Sequence, residues 1–166
     1  KLLNIFNELV VEPDLEWEFI DGSIVKAHQH SSGASNGQES AIGKSVAGNT
    51  TKIHMAVDSC GLPIHFLITG GEVHDCKEAP KLIAELPEEL RLQIREKGAT
   101  SVIPRKKNST RGNDDIDWCL YKYRHLVENV FARLKHFRAI ATRYDKLKRN
   151  YEGTVALACA FLWLPM

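Results

Sequence analysis

The stretch Tyr121-Lys122-Tyr123-Arg124-His125-Leu126-Val127-Glu128-Asn129-Val130-Phe131-Ala132-Arg133-Leu134-Lys135 sets one carboxylate, Glu128, among spaced cationic and phenolic side chains. At 100° per residue, Tyr121, Arg124 and Lys135 fall about 20°, 40° and 20° from Glu128, so the four share one face of a helix. Leu120, Val127, Val130, Phe131 and Leu134 recur at helical spacing on a neighbouring stripe, which marks the side facing a core. A half-buried carboxylate beside cations suits metal-assisted phosphate chemistry, the carboxylate holding a hard divalent cation and the cations holding phosphates. The bland alternative is a solvated face with i,i+4 ion pairs such as Arg124 with Glu128.

The spacing Tyr, two residues, Arg, three residues, Glu, six residues, Lys resembles the signature around the last acidic residue of bacterial insertion-sequence transposases of the Asp-Asp-Glu (DDE) superfamily. All four positions match, and Phe137 to Lys146 is similar to that family's continuation. The likeness reaches upstream to Phe19-Ile20-Asp21-Gly22-Ser23, where the family carries its first catalytic aspartate, and to Thr51-Lys52-Ile53-His54. One departure stands between them: Val46, Ala47 and Gly48 lie where the family shows an Arg-Gly-Gly run, which removes a phosphate contact.

Charge is unevenly spread. The formal net charge is only +1, yet residues 1–100 hold nine Lys/Arg against fifteen Asp/Glu, while residues 101–166 hold thirteen against six. The basic half, with Arg105-Lys106-Lys107 and Arg133, Lys135, Arg138, Arg143, Lys146, Lys148 and Arg149, suits a polyanion such as DNA. At 166 residues, with ordinary apolar and charged fractions, the chain can hold one domain with a real core. The scattered Cys60, Cys76, Cys119 and Cys159 form no Cys-x-x-Cys pair, so free thiols are expected. The apolar run Val155 to Leu164 is too short to span a bilayer and reads as a buried helix or sheet-packing segment.

Trp17 to Asp21, ending at Gly22, reads as a first strand with Asp21 at its end. Gln29 to Thr50 reads as a loop or flap, and Thr51–Asp58 with Leu62–Thr69 as a hairpin turning at Ser59-Cys60-Gly61. Asp75-Cys76-Lys77-Glu78 has capping-box spacing, which makes Asp75 an N-cap rather than a metal ligand and predicts a helix from Cys76 to Leu86. A second helix is expected over Glu88 to Lys97, stopped by Gly98, and then a strand over Thr100 to Ile103. Two decoys carry little: Gly43-Lys44-Ser45 lacks the glycine spacing of a P-loop, Gly37 being one position too far, and His28-Gln29-His30 has no second ligand pair for zinc.

Two helices joined by Pro87 alone break the α/β alternation, in which a crossover helix returns to a strand. The resemblance implies a strand there, bearing the second catalytic aspartate; this sequence lacks it around Leu86 to Glu88, whether by deletion or because the segment was left out. The fold expected is α/β, a ribonuclease-H-like mixed sheet flanked by helices with one expected strand missing. Residues 1–15 read as the remnant of an upstream helical region and 16–166 as the catalytic domain. The resemblance implies metal-dependent DNA cleavage and strand transfer at insertion-sequence ends, impaired in this chain, with a non-catalytic DNA-binding remnant as the rival. It assigns Asp21 and Glu128 as catalytic ligands of Mg²⁺ (or Mn²⁺), and Tyr121, Arg124 and Lys135 as DNA contacts. DNA, as transposon ends and target, and a second copy in a homodimer are the implied partners. No membrane is expected, and the implied location is cytoplasmic and nucleoid-associated.

Overall fold

β-Branched and apolar residues over Gly48–Val57 and Pro63–Gly70, with Gly61 at φ +76° between them, build the hairpin at the centre of the molecule. The computed structural model describes residues 1–31, 39–105 and 108–164. In chain order the elements are α1 (Leu2–Leu9), β1 (Phe19–Ala27), β2 (Gly43–Ser45), β3 (Gly48–Val57), β4 (Pro63–Gly70), α2 (Asp75–Ala84), α3 (Glu88–Glu96), α4 (Trp118–Lys122), α5 (His125–Lys135), α6 (Arg138–Ala141), β5 (Thr142–Arg143) and α7 (Lys148–Trp163). The expected flap over 29–50 contains β2, and its residues 32–38, including Gly37, lie outside the described residues, as do Lys106 and Lys107.

β3 is antiparallel to β1, β2 and β4, and β5 runs parallel to the end of β1 at Lys26 and Ala27, giving the expected mixed sheet flanked by helices. Side chains alternate across the pleat. Val25, Ile53, Met55, Phe66 and Ile68 face α5 and α7, where Val127, Val130, Phe131, Leu134, Tyr151 and Val155 complete the larger core. The residues between them face α2 and α3: Ala56 packs with Leu82, Leu86 and Leu90 in a second core. The C-terminal apolar run is the buried helix α7, and α1 lies along it with Phe6 fully buried.

Four expectations need correction. β1 does not end at Asp21; Asp21 is its third residue, because the ladder to β3 continues from Phe19↔Val57 to Lys26↔Thr50 and Gly22 accommodates a neighbour instead of stopping the strand. No strand forms over Thr100–Ile103, which finds no ladder partner and leaves Ile103 72% exposed. The N-cap of α2 is His74, and Asp75, the first helical residue, makes no cap bond because its carboxylate turns to the sheet. The long basic helix is two helices, α4 and α5, parted at Tyr123 and Arg124 by bonds from each N–H to the third carbonyl back. Such a tight turn advances each residue about 120° rather than 100°.

The basic half also divides. Arg143 is fully buried, its guanidinium donating to the carbonyls of Ser40 (2.5 Å), Ala41 (3.2 Å) and Asp145 (2.9 Å) and to Thr51 Oγ1 (2.7 Å), over the Tyr151 ring. It ties β3, β5 and the chain near residue 40 together and is no DNA contact. Arg105 is held by Asp115 through two 2.6 Å bonds, which pull the Asp115 carboxyl down to about 2. Lys148 pairs with Glu39 and Glu152. Arg133, Lys135, Arg138, Lys146 and Arg149 are left exposed.

Two predictions follow from these buried charges. Arg143→Met strands several carbonyls and should cost at least about 3 kcal/mol in urea unfolding. The second concerns Glu18, whose carboxyl burial lifts from 4.5 to about 7. Between those values the folded chain holds a proton that the unfolded chain has lost, so stability falls as pH rises through this window. Glu18→Gln should therefore leave stability at pH 4 unchanged and raise it at pH 8 by about 3 kcal/mol.

Candidate active site

Strand alternation points Asp21 at the α5 face of the sheet, on the side of Val25 and opposite Met55 in the ladder. The α4–α5 turn passes over that face. α4 begins where Asp117 Oδ1 accepts from the N–H groups of Cys119 (2.9 Å) and Leu120 (3.0 Å), an N-cap that sets the helix direction. Val127, Val130, Phe131 and Leu134 then bury the inner stripe of α5, which fixes Glu128 at the rim.

Arg124 sits where these elements meet. Its Nη2 donates to Asp21 Oδ2 at 2.6 Å, and its Nη1 lies 3.4 Å from Glu128 Oε1. One guanidinium thus gathers two carboxylates from a strand and a helix far apart in sequence. The Asp21 side chain is 19% exposed and that of Glu128 is 56% exposed, so the pair opens to solvent on the Glu128 side. Partial burial works against the charge of Arg124, but the bond and charge of Asp21, with Tyr121 beside it, raise its pKa above the usual arginine value. Tyr121 stacks edge-on with Trp118, ring centroids 5.7 Å apart. Lys135 lies exposed in the last turn of α5, two turns beyond Glu128 and about 10 Å along the axis.

Sequence spacing foresaw the i,i+4 pair of Arg124 with Glu128 but not the shorter bond from Arg124 to Asp21. The tight turn that directs the guanidinium toward β1 has no signature in residue spacing.

The donor set suits a hard divalent cation: two carboxylates converge on one positive group, and Mg²⁺ commonly binds through one or two carboxylates plus waters and substrate phosphates. Among the described residues no group of three His, Cys, Asp or Glu side chains is placed to hold a metal ion. The outer edge of β1 beside Asp21 is bare. Among the described residues β5 reaches only Lys26 and Ala27, and Phe19 to Val25 pair on the β3 side alone.

Comparison with known proteins follows the same lines. The family described as the transposase DDE domain matches residues 19–163. A Brucella ovis protein named as a transposase for insertion sequence element IS6501 is 39% identical over 130 residues, covering 69% of this chain and 98% of that protein. A Burkholderia cepacia protein named as a transposase for insertion sequence element IS402 is 25% identical over 136 residues, covering 68% of this chain and 62% of that protein. No solved structure matches. With its mixed sheet, its Asp21 and Glu128 drawn to one cation, and a family match over most of its length, the chain belongs to the DDE transposases of bacterial insertion sequences, enzymes that cut DNA.

Proposed function

We propose that Asp21 and Glu128 hold a divalent ion, Mg²⁺ or Mn²⁺, against the scissile phosphate of a transposon end, and that Tyr121, Arg124 and Lys135 contact the DNA strand. The observation that carries this reading is the meeting of both carboxylates on the Arg124 guanidinium. When bound, the ion supplies Lewis-acid polarisation of the phosphoryl oxygen and a more acidic attacking water. The chain's own residues do the positioning. Asp21 is held from β1 and Glu128 from the first turn of α5, so the two carboxylates arrive on rigid elements. Arg124 neutralises the pair, and with a divalent ion held by Asp21 and Glu128 its guanidinium would be available to a phosphate. Exposed Lys135, with Arg133 and Arg138 near it in sequence, extends the positive surface beyond the carboxylates, and Tyr121 offers a ring and a hydroxyl.

This chain works poorly as an enzyme in our reading. The one-sided pairing of β1 beside Asp21 among the described residues and the three-residue link from α2 to α3 support a missing strand, and with it a missing third carboxylate. An ion held by two carboxylates binds weakly and sits loosely, and small displacements of reacting groups cost around 10²-fold in rate. The same observations favour the second reading, a DNA-binding remnant that does not cut. Residues 1–15 would end an upstream helical region that α1 anchors through Phe6, ahead of a catalytic domain over 16–166. A homodimer and a cytoplasmic, nucleoid-associated place belong to this proposal, supported by the family's work on DNA. Among the described residues no helix is long and apolar enough to cross a membrane.

A divalent-dependent nicking assay on supercoiled DNA should give no turnover above background. Turnover abolished by Asp21→Ala would overturn the impairment while keeping the site. Filter binding at several salt concentrations tests the DNA contacts. Lys135→Ala should lower the slope of log K against log salt by about 0.9 with or without Mg²⁺, whereas Arg124→Ala should do so only with Mg²⁺ present. An Arg124→Ala slope that falls equally in EDTA would refute the proposed exchange of partners.

A further inference from the structure

On the face of β1 turned away from Arg124, the residue after Asp21 is Gly22, which pairs with His54 across the ladder. A Cβ at position 22 would run into the carboxylate of Asp75 and come within 3.2 Å of Lys52 Cδ. Asp75 is therefore seated on the bare backbone of Gly22. It is anchored there by two β3 side chains, Lys52 Nζ at 3.2 Å from Oδ2 and His54 Nδ1 at 3.0 Å from Oδ1. Both anchors are deeply buried, with side chains 10% and 2% exposed. They are themselves tied down: Lys52 donates to the Val73 carbonyl at 2.9 Å, and His54 Nε2 lies 2.8 Å from Thr69 Oγ1.

The Asp21–Gly22 segment thus has helix α5 gripping it through Arg124 on one face and helix α2 seated on it through Asp75 on the other. In the plane of the sheet it has a neighbour on one side only among the described residues. A strand with one free edge is held in place by what presses on its faces, and a carboxylate on such a strand keeps its position only as well as those contacts do.

We infer that Asp75, with its anchors Lys52 and His54, is a positioning residue for Asp21, acting through the Gly22 backbone rather than through the reacting phosphate. This rests on the reading of Asp21 as a metal ligand. A capping aspartate would serve the helix alone; this one spends both carboxylate oxygens on the sheet directly behind the site. Glycine at position 22 then has a reason beyond turn formation: it is the one residue that leaves room for the seat.

The test uses Mn²⁺ alone as probe, with binding followed by calorimetry and the Asp21 and Gly22 amide resonances followed in ¹⁵N-labelled chain. Asp75→Ala and Gly22→Ala should each weaken Mn²⁺ binding by roughly tenfold, as loss of a supporting partner does at metal sites. The double variant should bind no worse than Gly22→Ala, because the added Cβ then has no carboxylate to strike. Should Asp75→Ala not fold, near-isosteric Asp75→Asn serves, and it should shift both amide resonances. Unchanged Mn²⁺ affinity and unchanged Asp21 and Gly22 resonances in a folded Asp75 variant, or losses that simply add in the double variant, would overturn the inference. Asp21→Asn separates the two ideas: if it binds Mn²⁺ as the native chain does, or if the native chain binds none, the metal reading of Asp21 fails, and the amide resonances alone then decide whether Asp75 holds this strand.

Discussion

The contact on which the site depends is a single guanidinium held between two carboxylates. Asp21 and Glu128 repel one another, and the guanidinium between them offsets that repulsion where Asp21 is largely buried and Glu128 is open to solvent. Arg124 solves this in the metal-free chain because its planar fork carries several donors in fixed directions, one bonding Asp21 while another approaches Glu128. A lysine, a point charge with a longer flexible stem, would not bracket the two oxygens in this way.

A second arginine shows how differently the fold can use the same side chain. Arg143 is buried entirely, yet it meets carbonyls and a hydroxyl rather than carboxylates, over the face of Tyr151. It closes the sheet where β5 joins β1, at the end of β1 away from Asp21. The strand is therefore fixed at one end by the buried Arg143 and near the other by the half-exposed Arg124. Between them its outer edge has no ladder partner among the described residues, so helices on the two faces supply the restraint that a neighbouring strand would ordinarily give.

Several features were readable from residue order because they are local. The β3–β4 hairpin, its glycine turn, helices α2 and α3 and the buried α7 follow from alternation, helical period and glycine stops, which act over a few residues. The succession of two helices with no strand between them was likewise visible, although the structure links them through Glu85, Leu86 and Pro87 rather than Pro87 alone. Where the reading failed, a distant partner decided. Thr100 to Ile103 has strand-forming residues but joins no ladder among the described residues, and Asp75 has cap spacing but turns its carboxylate to Lys52 and His54 instead. The basic tally over 101–166 could not tell exposed Lys135 from buried Arg143, because charge counts carry no burial.

The order of residues determined the family signature, the two acidic side chains and the cations spaced around Glu128, because these depend on identity and spacing along one segment. Tertiary structure alone decided that the guanidinium of Arg124 reaches Asp21, that Arg143 turns inward, and that Gly22 receives Asp75. The reason is physical. A tight turn between two short helices and the register of two antiparallel strands set the directions of these side chains, and both are settled only when the sheet and helices pack against each other.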